Sequence, residues 1–383
     1  MRFVHTADWQ LGMTRRFLGA GRVGQAVGEA QARFAQARLD AVAALGRVAA
    51  DERAAFVVVC GDVFESNLVG PDVVGCACEA LRSVPVPVLL LPGNHDPADA
   101  ALVTRRADFA RRCPPHVTVL DTPGVHPVAP GVEVVAAPWA TKRPLSDLVG
   151  DRLRALGPAP DGVVRVLAGH GAVDVLSPDD GPAIIRTAEC RAALADGRVH
   201  YVALGDRHST WQLHGEPRIA YSGAPEVTSH EETDPGNVLV VDVGPDGAAS
   251  VRPVRIGRWA FVREGAVVDT DDDLAALDAR LDALDAPERT ALRLSVEGTV
   301  TLRQRTRLDE IVEAHAPVLA ALEVDTTGVA TRPDDADVEA LGLTGLAADA
   351  ARELADAARG PHDDEARHAL DALALLHRLA VAR

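Results

Sequence analysis

Five short segments of this chain concentrate side chains that hold metal ions or move protons. They are Ala7-Asp8-Trp9-Gln10, Cys60-Gly61-Asp62-Val63-Phe64, Pro92-Gly93-Asn94-His95-Asp96, Gly169-His170-Gly171 and Gly205-Asp206-Arg207-His208. A lone Gly-Asp or Gly-His pair carries little weight, because both residues are ordinary punctuation where a strand passes into a loop. Five such loops in one chain point instead to a shared centre. Two divalent cations about 3.5–4 Å apart clamp the attacking and leaving oxygens of an in-line phosphoryl displacement. Only a two-oxygen anion holds two such charges together, and Asp62 suits that bridging role. Asn94 offers an amide oxygen, and His170 and His208 offer imidazoles. His95 adjoins a ligand position, and Asp96 beside it is expected to orient the ring and raise its basicity. A protonated His95 can then protonate the leaving oxygen or stabilise charge on the phosphorane.

Each segment follows a run that reads as a β-strand. The expected strands are Arg2–Thr6, Phe56–Cys60, Val86–Leu91, Val132–Ala136, Val164–Ala168, His200–Leu204, Arg218–Ser222, Asn237–Val243 and Ser250–Arg255. Between the first two, Ala30, Phe34, Ala37, Ala41, Leu45 and Val48 recur at steps of three or four. That spacing predicts a helix over Val27–Ala50. Phe56–Cys60 and Val86–Leu91 are apolar throughout, as in strands covered on both faces. In such α/β sheets, ligands bind beyond the carboxyl ends of the strands. After Arg255 the pattern changes to a strand at Ala291–Glu297, a helix at Leu302–Ala314 and a strand at Val318–Asp325. Two Ala/Leu-rich helices follow, near Leu346–Ala358 and Asp364–Val381, separated by Gly360-Pro361.

Composition narrows the classes. The chain has 383 residues, 47% hydrophobic and 25% charged, with a net charge of −17. Residues 1–263 carry 27 Lys and Arg against 30 Asp and Glu, whereas residues 264–383 carry 12 against 26. The acidity therefore sits in the last third, and two bound dications would leave the first part slightly positive. Strong acidity disfavours non-specific nucleic-acid binding, but that objection is weak for residues 1–263. No apolar run approaches the ~18 residues of a membrane helix. The opening MRFVHTADWQ lacks the apolar stretch of a signal peptide. Five cysteines without paired spacing do not form a disulfide framework. A reduced, cytoplasmic protein is expected, with Cys60, Cys76, Cys78, Cys113 and Cys190 as buried small hydrophobes.

The order of the five loops, and Gly-Asn-His-Asp above all, resembles the calcineurin-like metallophosphoesterases. Within that family, HTADWQLG, GDVFES and Tyr221-Ser222-Gly223-Ala224-Pro225 are similar to SbcD-type nuclease subunits. The resemblance in motifs covers about residues 1–228. It implies an α/β fold, a β-sandwich flanked by helices, with a smaller α+β C-terminal capping domain and terminal helices. The expected domains are 1–258 (nuclease), 259–330 (α+β cap) and 331–383 (helical, partner-binding). Carried over by position, Asp8, Gln10, Asp62 and His208 would surround one metal ion, and Asp62, Asn94, His170 and Asp206 the other. His95 would be the catalytic histidine, supported by Asp96. The family usually has His at the positions of Gln10 and Asp206. Both replacements keep an oxygen donor, which shifts preference toward Mn²⁺ or Mg²⁺ and away from Zn²⁺.

The function this implies is two-metal hydrolysis of DNA phosphodiesters in repair, with DNA ends, an SbcC-like SMC-type ATPase and a second copy of the chain as partners. The alternatives are a stand-alone phosphodiesterase for nucleotides or small phosphoesters, and a non-catalytic subunit whose metal site decayed at Gln10 and Asp206. Arg207, between two proposed ligands, is the candidate phosphate contact. Arg15 and Arg16 are either a DNA-backbone track or a solvated loop. Trp9 and Trp139 fit core packing or loop anchoring better than base stacking, and His5 fits a packed neighbour of the site. Leu370, Leu373, Leu376, Leu379 and Ala380 form a stripe that would either dock a partner or pack on its own domain.

Overall fold

The computed structural model describes residues 1–19, 28–178, 180–244, 247–360 and 364–381, with side chains of the last helix described as far as residue 376. It divides into two compact units, Met1–Arg15 with Gln31–Trp259, and Arg16–Ala30 with Ala260–Arg383. The second unit thus takes Arg16–Ala30, which the sequence assigns to the first domain, and holds 260–330 and 331–383 together, with Trp259 left in the first unit.

The first unit is a sandwich of two six-stranded sheets. One runs Ala249–Arg255, Asn237–Val243, Arg2–Thr6, Val57–Cys60, Val88–Leu91, Val117–Val119. The other runs Gly124–Ala129, Val132–Ala137, Val164–His170, Tyr201–Gly205, Glu216–Tyr221, Trp211–Leu213. Strands pair in parallel through the middle of each sheet, with antiparallel pairs toward the edges. The period-2 alternation of the strands sorts their residues into layers. Phe56, Val58 and Cys60 join Ala136, Ala168 and Ala203 between the sheets. Val57 and Val59 point the other way, into a layer with Val42 and Leu45 of the helix Glu29–Asp51 and Val74 and Leu81 of the helix Pro71–Arg82. A third layer packs Val135, Leu167 and Val202 against Val149 and Leu153 of the helix Leu148–Arg154 and Cys190 and Ala193 of the helix Thr187–Ala195. The order is helix, sheet, sheet, helix.

The second unit is α+β. A parallel sheet of Ala260–Val267, Thr290–Val300 and Ala321–Thr331 is linked by the helices Asp271–Asp282 and Leu302–His315. Helices Asp335–Ala340, Leu346–Ala358 and Asp364–Val381 follow. Leu373 is buried with Leu302, Leu341, Ala351 and Ala355, and Leu370 and Leu376 pack on the same cluster. The C-terminal stripe is therefore used within its own unit as far as residue 376. The side chains of Leu379 and Ala380 lie outside the described residues, as do Val27 and Pro361.

The sequence misses four strands, Val117–Val119, Gly124–Ala129, Trp211–Leu213 and Ala260–Val267, and each is the edge of its sheet. Edge strands are short or half-exposed, so they carry weak apolar periodicity. It also misses the helix Asp271–Asp282, whose Thr270–Asp273 capping box marks its start. Among the cysteines, Cys60, Cys78 and Cys190 are buried as expected, but Cys76 is exposed and Cys113 half-buried, and all five are free thiols. No helix of the described residues is long and apolar enough to cross a membrane.

The two sheets pinch together at one end, where the strand Tyr201–Gly205 meets Cys60. A Cβ on Gly205 would lie 1.8 Å from the Cys60 carbonyl oxygen and 2.9 Å from His170 Nδ1. Backbone on one side and a buried ring on the other leave no room to adjust. Gly205→Ala should therefore cost roughly 1–3 kcal/mol of stability by overpacking, read from urea unfolding; an unchanged midpoint would show that the sheets part freely there.

Candidate metal centre

The loops that leave the pinched strand ends are zipped to one another by backbone hydrogen bonds. Asp8 N–H donates to the Gly61 carbonyl at 3.0 Å, Gln10 N–H to the Asp62 carbonyl at 2.8 Å, and Gly171 N–H to the Gly205 carbonyl at 3.0 Å. This geometry bends the backbone into the left-handed region at Asp8 (φ 56°), Gln10 (φ 42°), Asp62 (φ 54°) and Asp206 (φ 97°). Four of the six non-glycine residues with positive φ among the described residues are thus proposed ligands. Such strain persists only where the surroundings over-determine it, and it concentrates at functional sites. Close approach requires glycine beside them: a Cβ would meet His170 Nδ1 at 2.1 Å from Gly61, and Asp62 Oδ1 at 2.2 Å from Gly93.

Two groups of donors share Asp62. The first surrounds His170, whose ring is fully buried. Its Nε2 lies 2.9 Å from Asn94 Oδ1, 3.5 Å from Asp62 Oδ1 and 3.7 Å from Asp206 Oδ1. Its Nδ1 lies 2.8 Å from the Cys60 carbonyl. A proton on Nδ1 donated to that carbonyl leaves the Nε2 lone pair facing the oxygens, which is the tautomer a metal ligand needs. Trp139 braces the same ring: its Nε1–H donates to the His170 carbonyl at 2.6 Å, and the two rings stand edge to face. The second group pairs Gln10 with His208, whose Nε2 is 3.4 Å from Gln10 Nε2. Gln10 Oε1 is buried and has no hydrogen-bond partner. His208 Nδ1 lies 2.6 Å from Thr228 Oγ1 and 3.1 Å from Glu232 Oε1. Asp8, fully buried, accepts from Asp206 N–H at 3.0 Å and completes this group.

The electrostatics are those of a cation site. Burial, with Asp62 and Asp206 nearby, raises the pKa of Asp8 against the pull of His208 and His170. Burial lowers the His170 pKa, but Asp62, Asp206 and Asp8 outweigh it and carry the ring to about 9. For His208 burial again lowers the pKa, and the Glu232 hydrogen bond turns the net shift upward. Ligand atoms of Asp8, Asp62 and His170 all lie within 4.8 Å of one another. A buried carboxylate pair, an orphaned amide oxygen and two correctly faced imidazoles fit divalent metal. Two metal subsites, if filled as the resemblance implies, would each draw on one unshared carboxylate, one amide oxygen, one imidazole and a share of Asp62.

The structure brings Asp8, Gln10, Asp62, Asn94, His170, Asp206 and His208 to this one place. His95 is there too, with Nε2 4.0 Å from Asp62 Oδ2 and its backbone N–H donating to Asp62 Oδ1 at 2.9 Å. Asp96, expected to orient His95, does not. Its carboxylate turns inward and accepts from Gly93 N–H at 2.8 Å and Phe64 N–H at 3.0 Å. Burial pushes its pKa up to about 7, with Asp62 adding to the shift. The His95 ring is instead held by its Nδ1, 2.9 Å from the Glu65 carbonyl. Adjacent residues in a tight loop point apart, so Asp96 ties two ligand loops together while the neighbouring loop orients the histidine. Arg207 forms no ion pair among the described residues, and its Nε is buried without a partner. Arg15 Nε donates to the Thr228 carbonyl at 2.7 Å, which ties this arginine to the segment beside His208. Trp9 is core, and His5 is packed against Tyr201 and the Leu204 carbonyl, with burial driving its pKa down to about 3. Glu232, Thr228 and the carbonyls of Cys60 and Glu65 went unnoticed in the sequence. Their roles depend on side-chain direction and distance, and no motif marks them.

The model of the calcineurin-like phosphoesterase family matches residues 1–209. The chain belongs to this family, and so is a metal-dependent phosphoesterase that binds divalent ions. No curated protein matches it. Similar solved structures include TT1561 of Thermus thermophilus, at 11% identity over 66% of this chain and 99% of that one, with a TM-score of 0.40. A second crystal structure is 13% identical over 67% of this chain and 98% of its own, also with a TM-score of 0.40.

Bound divalent ions supply charge stabilisation and Lewis-acid polarisation to a phosphoryl group. The chain's own part is to hold Asp62 between two donor groups and to present His95 Nε2 beside them. Asp62→Asn removes the shared charge while keeping shape. Mn²⁺ calorimetry should then show fewer than two ions per chain; two ions retained with normal turnover would remove Asp62 from the bridging position.

Proposed function

We propose that this phosphoesterase cleaves DNA phosphodiesters at DNA ends as an SbcD-like nuclease subunit, with Mn²⁺ as its preferred metal. The observation that carries the reading is the way Tyr221–Pro225, the segment similar to SbcD-type subunits, is built into the metal centre. Tyr221 O–H donates to the Gly171 carbonyl at 2.6 Å, beside His170. Ala224 N–H donates to the His208 carbonyl at 2.9 Å, and a Cβ on Gly223 (φ 79°) would meet that oxygen at 2.8 Å. The segment braces both imidazole loops, so its sequence and the site's geometry are linked. Oxygen donors at Gln10 and Asp206 support Mn²⁺ or Mg²⁺ over Zn²⁺. Arg207 is the phosphate contact in this reading. An SbcC-like SMC-type ATPase, a second copy of the chain and a cytoplasmic setting complete it.

A second reading, a stand-alone phosphodiesterase for nucleotides, draws on the arginines. Arg15 and Arg38, beside the site, donate inward to backbone carbonyls, and Arg105, Arg106 and Arg154 pair with acids. A basic track for a long DNA backbone is therefore sparse.

His95 separates binding from chemistry. With Nδ1 donating to the Glu65 carbonyl, a proton carried on Nε2 faces the shared carboxylate and is placed for a leaving oxygen. His95→Ala should keep both metal ions while lowering turnover about 10²–10⁴-fold; loss of metal along with activity would make it a ligand. The substrate is tested by incubating Mn²⁺-loaded protein with linear duplex DNA, single-stranded DNA and cyclic nucleotides. Cleavage of linear DNA supports the nuclease, and turnover of cyclic nucleotides alone overturns it.

A further inference from the structure

Behind the first ligand loop lies a cation that the metal centre's own chemistry does not call for. Arg38, on the helix Glu29–Asp51, is 2% exposed. Its Nε donates to the Trp9 carbonyl at 2.9 Å, and Nη2 donates to the same oxygen at 2.5 Å and to the Asp8 carbonyl at 3.4 Å. Nη1 donates to the carbonyls of Glu226 and Val227, each at 3.4 Å. The guanidinium sits 5.4 Å from the centroid of the Phe34 ring. Among the described residues no carboxylate is hydrogen-bonded or ion-paired with it. Burial drives the Arg38 pKa down to about 10 although the carboxylates of Glu226 and Glu232 pull it upward, and an apolar side chain of similar length would avoid the cost of burying the charge.

The carbonyls themselves show what is gained. Asp8 and Trp9 lead directly into Gln10. Glu226 and Val227 lead directly into Thr228, whose Oγ1 contacts His208 Nδ1 and whose N–H donates to Glu232 at 2.9 Å. One planar fork therefore joins the segment that carries Gln10 to the segment whose Thr228 holds His208; Gln10 and His208 are themselves 198 residues apart in sequence. The His170 half of the centre is held by other means, through the Cys60 carbonyl and Trp139.

We propose that Arg38 is a positioning residue of the metal centre, stapling the Asp8–Gln10 loop to the Glu226–Thr228 segment so that Gln10 and His208 converge on one of the two divalent ions. The staple rests on the reading of Gln10 and His208 as ligands. Arginine suits it because its donors lie in one plane and point in fixed directions, whereas an ammonium is a compact point charge on a flexible stem.

The test is Mn²⁺ calorimetry and electron paramagnetic resonance on the full chain, with the unfolding midpoint of the metal-free protein measured in parallel. His208→Ala identifies which of the two binding steps belongs to the Gln10–His208 subsite. Arg38→Met is expected to weaken that step 10–100-fold, the usual range when a group behind a ligand is removed. The other step should stay unchanged, and the spectrum of a coupled Mn²⁺ pair should give way to that of a single ion. Arg38→Lys keeps the charge without the fork and is expected to weaken the same step about tenfold; it carries the test if the Met variant does not fold. Fewer than two Mn²⁺ ions in the wild-type chain overturns the ligand reading and the staple with it. Two ions in the wild type, with both steps unchanged in the variants or equally weakened alongside a lower unfolding midpoint, overturns the staple alone.

Discussion

Asp8 and Asp62 lose almost all contact with water in this fold, and Asp206 joins them around the buried ring of His170. Carboxylates in such surroundings repel one another and pay heavily for desolvation unless positive charge lies among them. The same three carboxylates carry the His170 pKa upward in spite of burial. Divalent ions would satisfy the same oxygens with more charge, taking the lone pair of His170 Nε2 in place of a proton. Much of the surrounding architecture follows from having to bring these groups together in a dry place.

The pinch between the sheets provides that place. Cys60, His170 and Gly205 end strands drawn from both sheets, and the loops beyond them interlock through backbone hydrogen bonds. Glycines at 61, 93 and 205 let the loops approach within distances that any side chain would forbid. The cost appears as left-handed backbone at four proposed ligands. The strain is held by the three close-packed apolar layers on either side of and between the sheets.

The imidazoles are held from outside the ligand set by groups of different character. His170 leans on a backbone carbonyl and a tryptophan, while His208 leans on Thr228 and the carboxylate of Glu232. An anionic partner raises the donor strength of an imidazole more than a carbonyl does. The two groups of proposed ligands therefore share one donor composition yet differ in what stands behind it. Arg38 belongs to the His208 half of that division.

The sequence alone determined the central strands, the long first helix and the five loops, because those elements carry strong apolar periodicity and punctuated ends. It also determined which residue types could bind metal, and their resemblance to a known family supplied the grouping. The edge strands were illegible, since half-exposed segments lack a clean period. The direction of side chains was illegible too. Asp96 stands next to His95 in sequence, but a buried carboxylate seeks unpaired N–H groups, and Gly93 and Phe64 offer them. Likewise nothing in the sequence singles out Arg38 on the long first helix, and the fold encloses it. Only the tertiary structure decided these partners, because a hydrogen bond is settled by distance and angle between groups that the chain brings together from far apart.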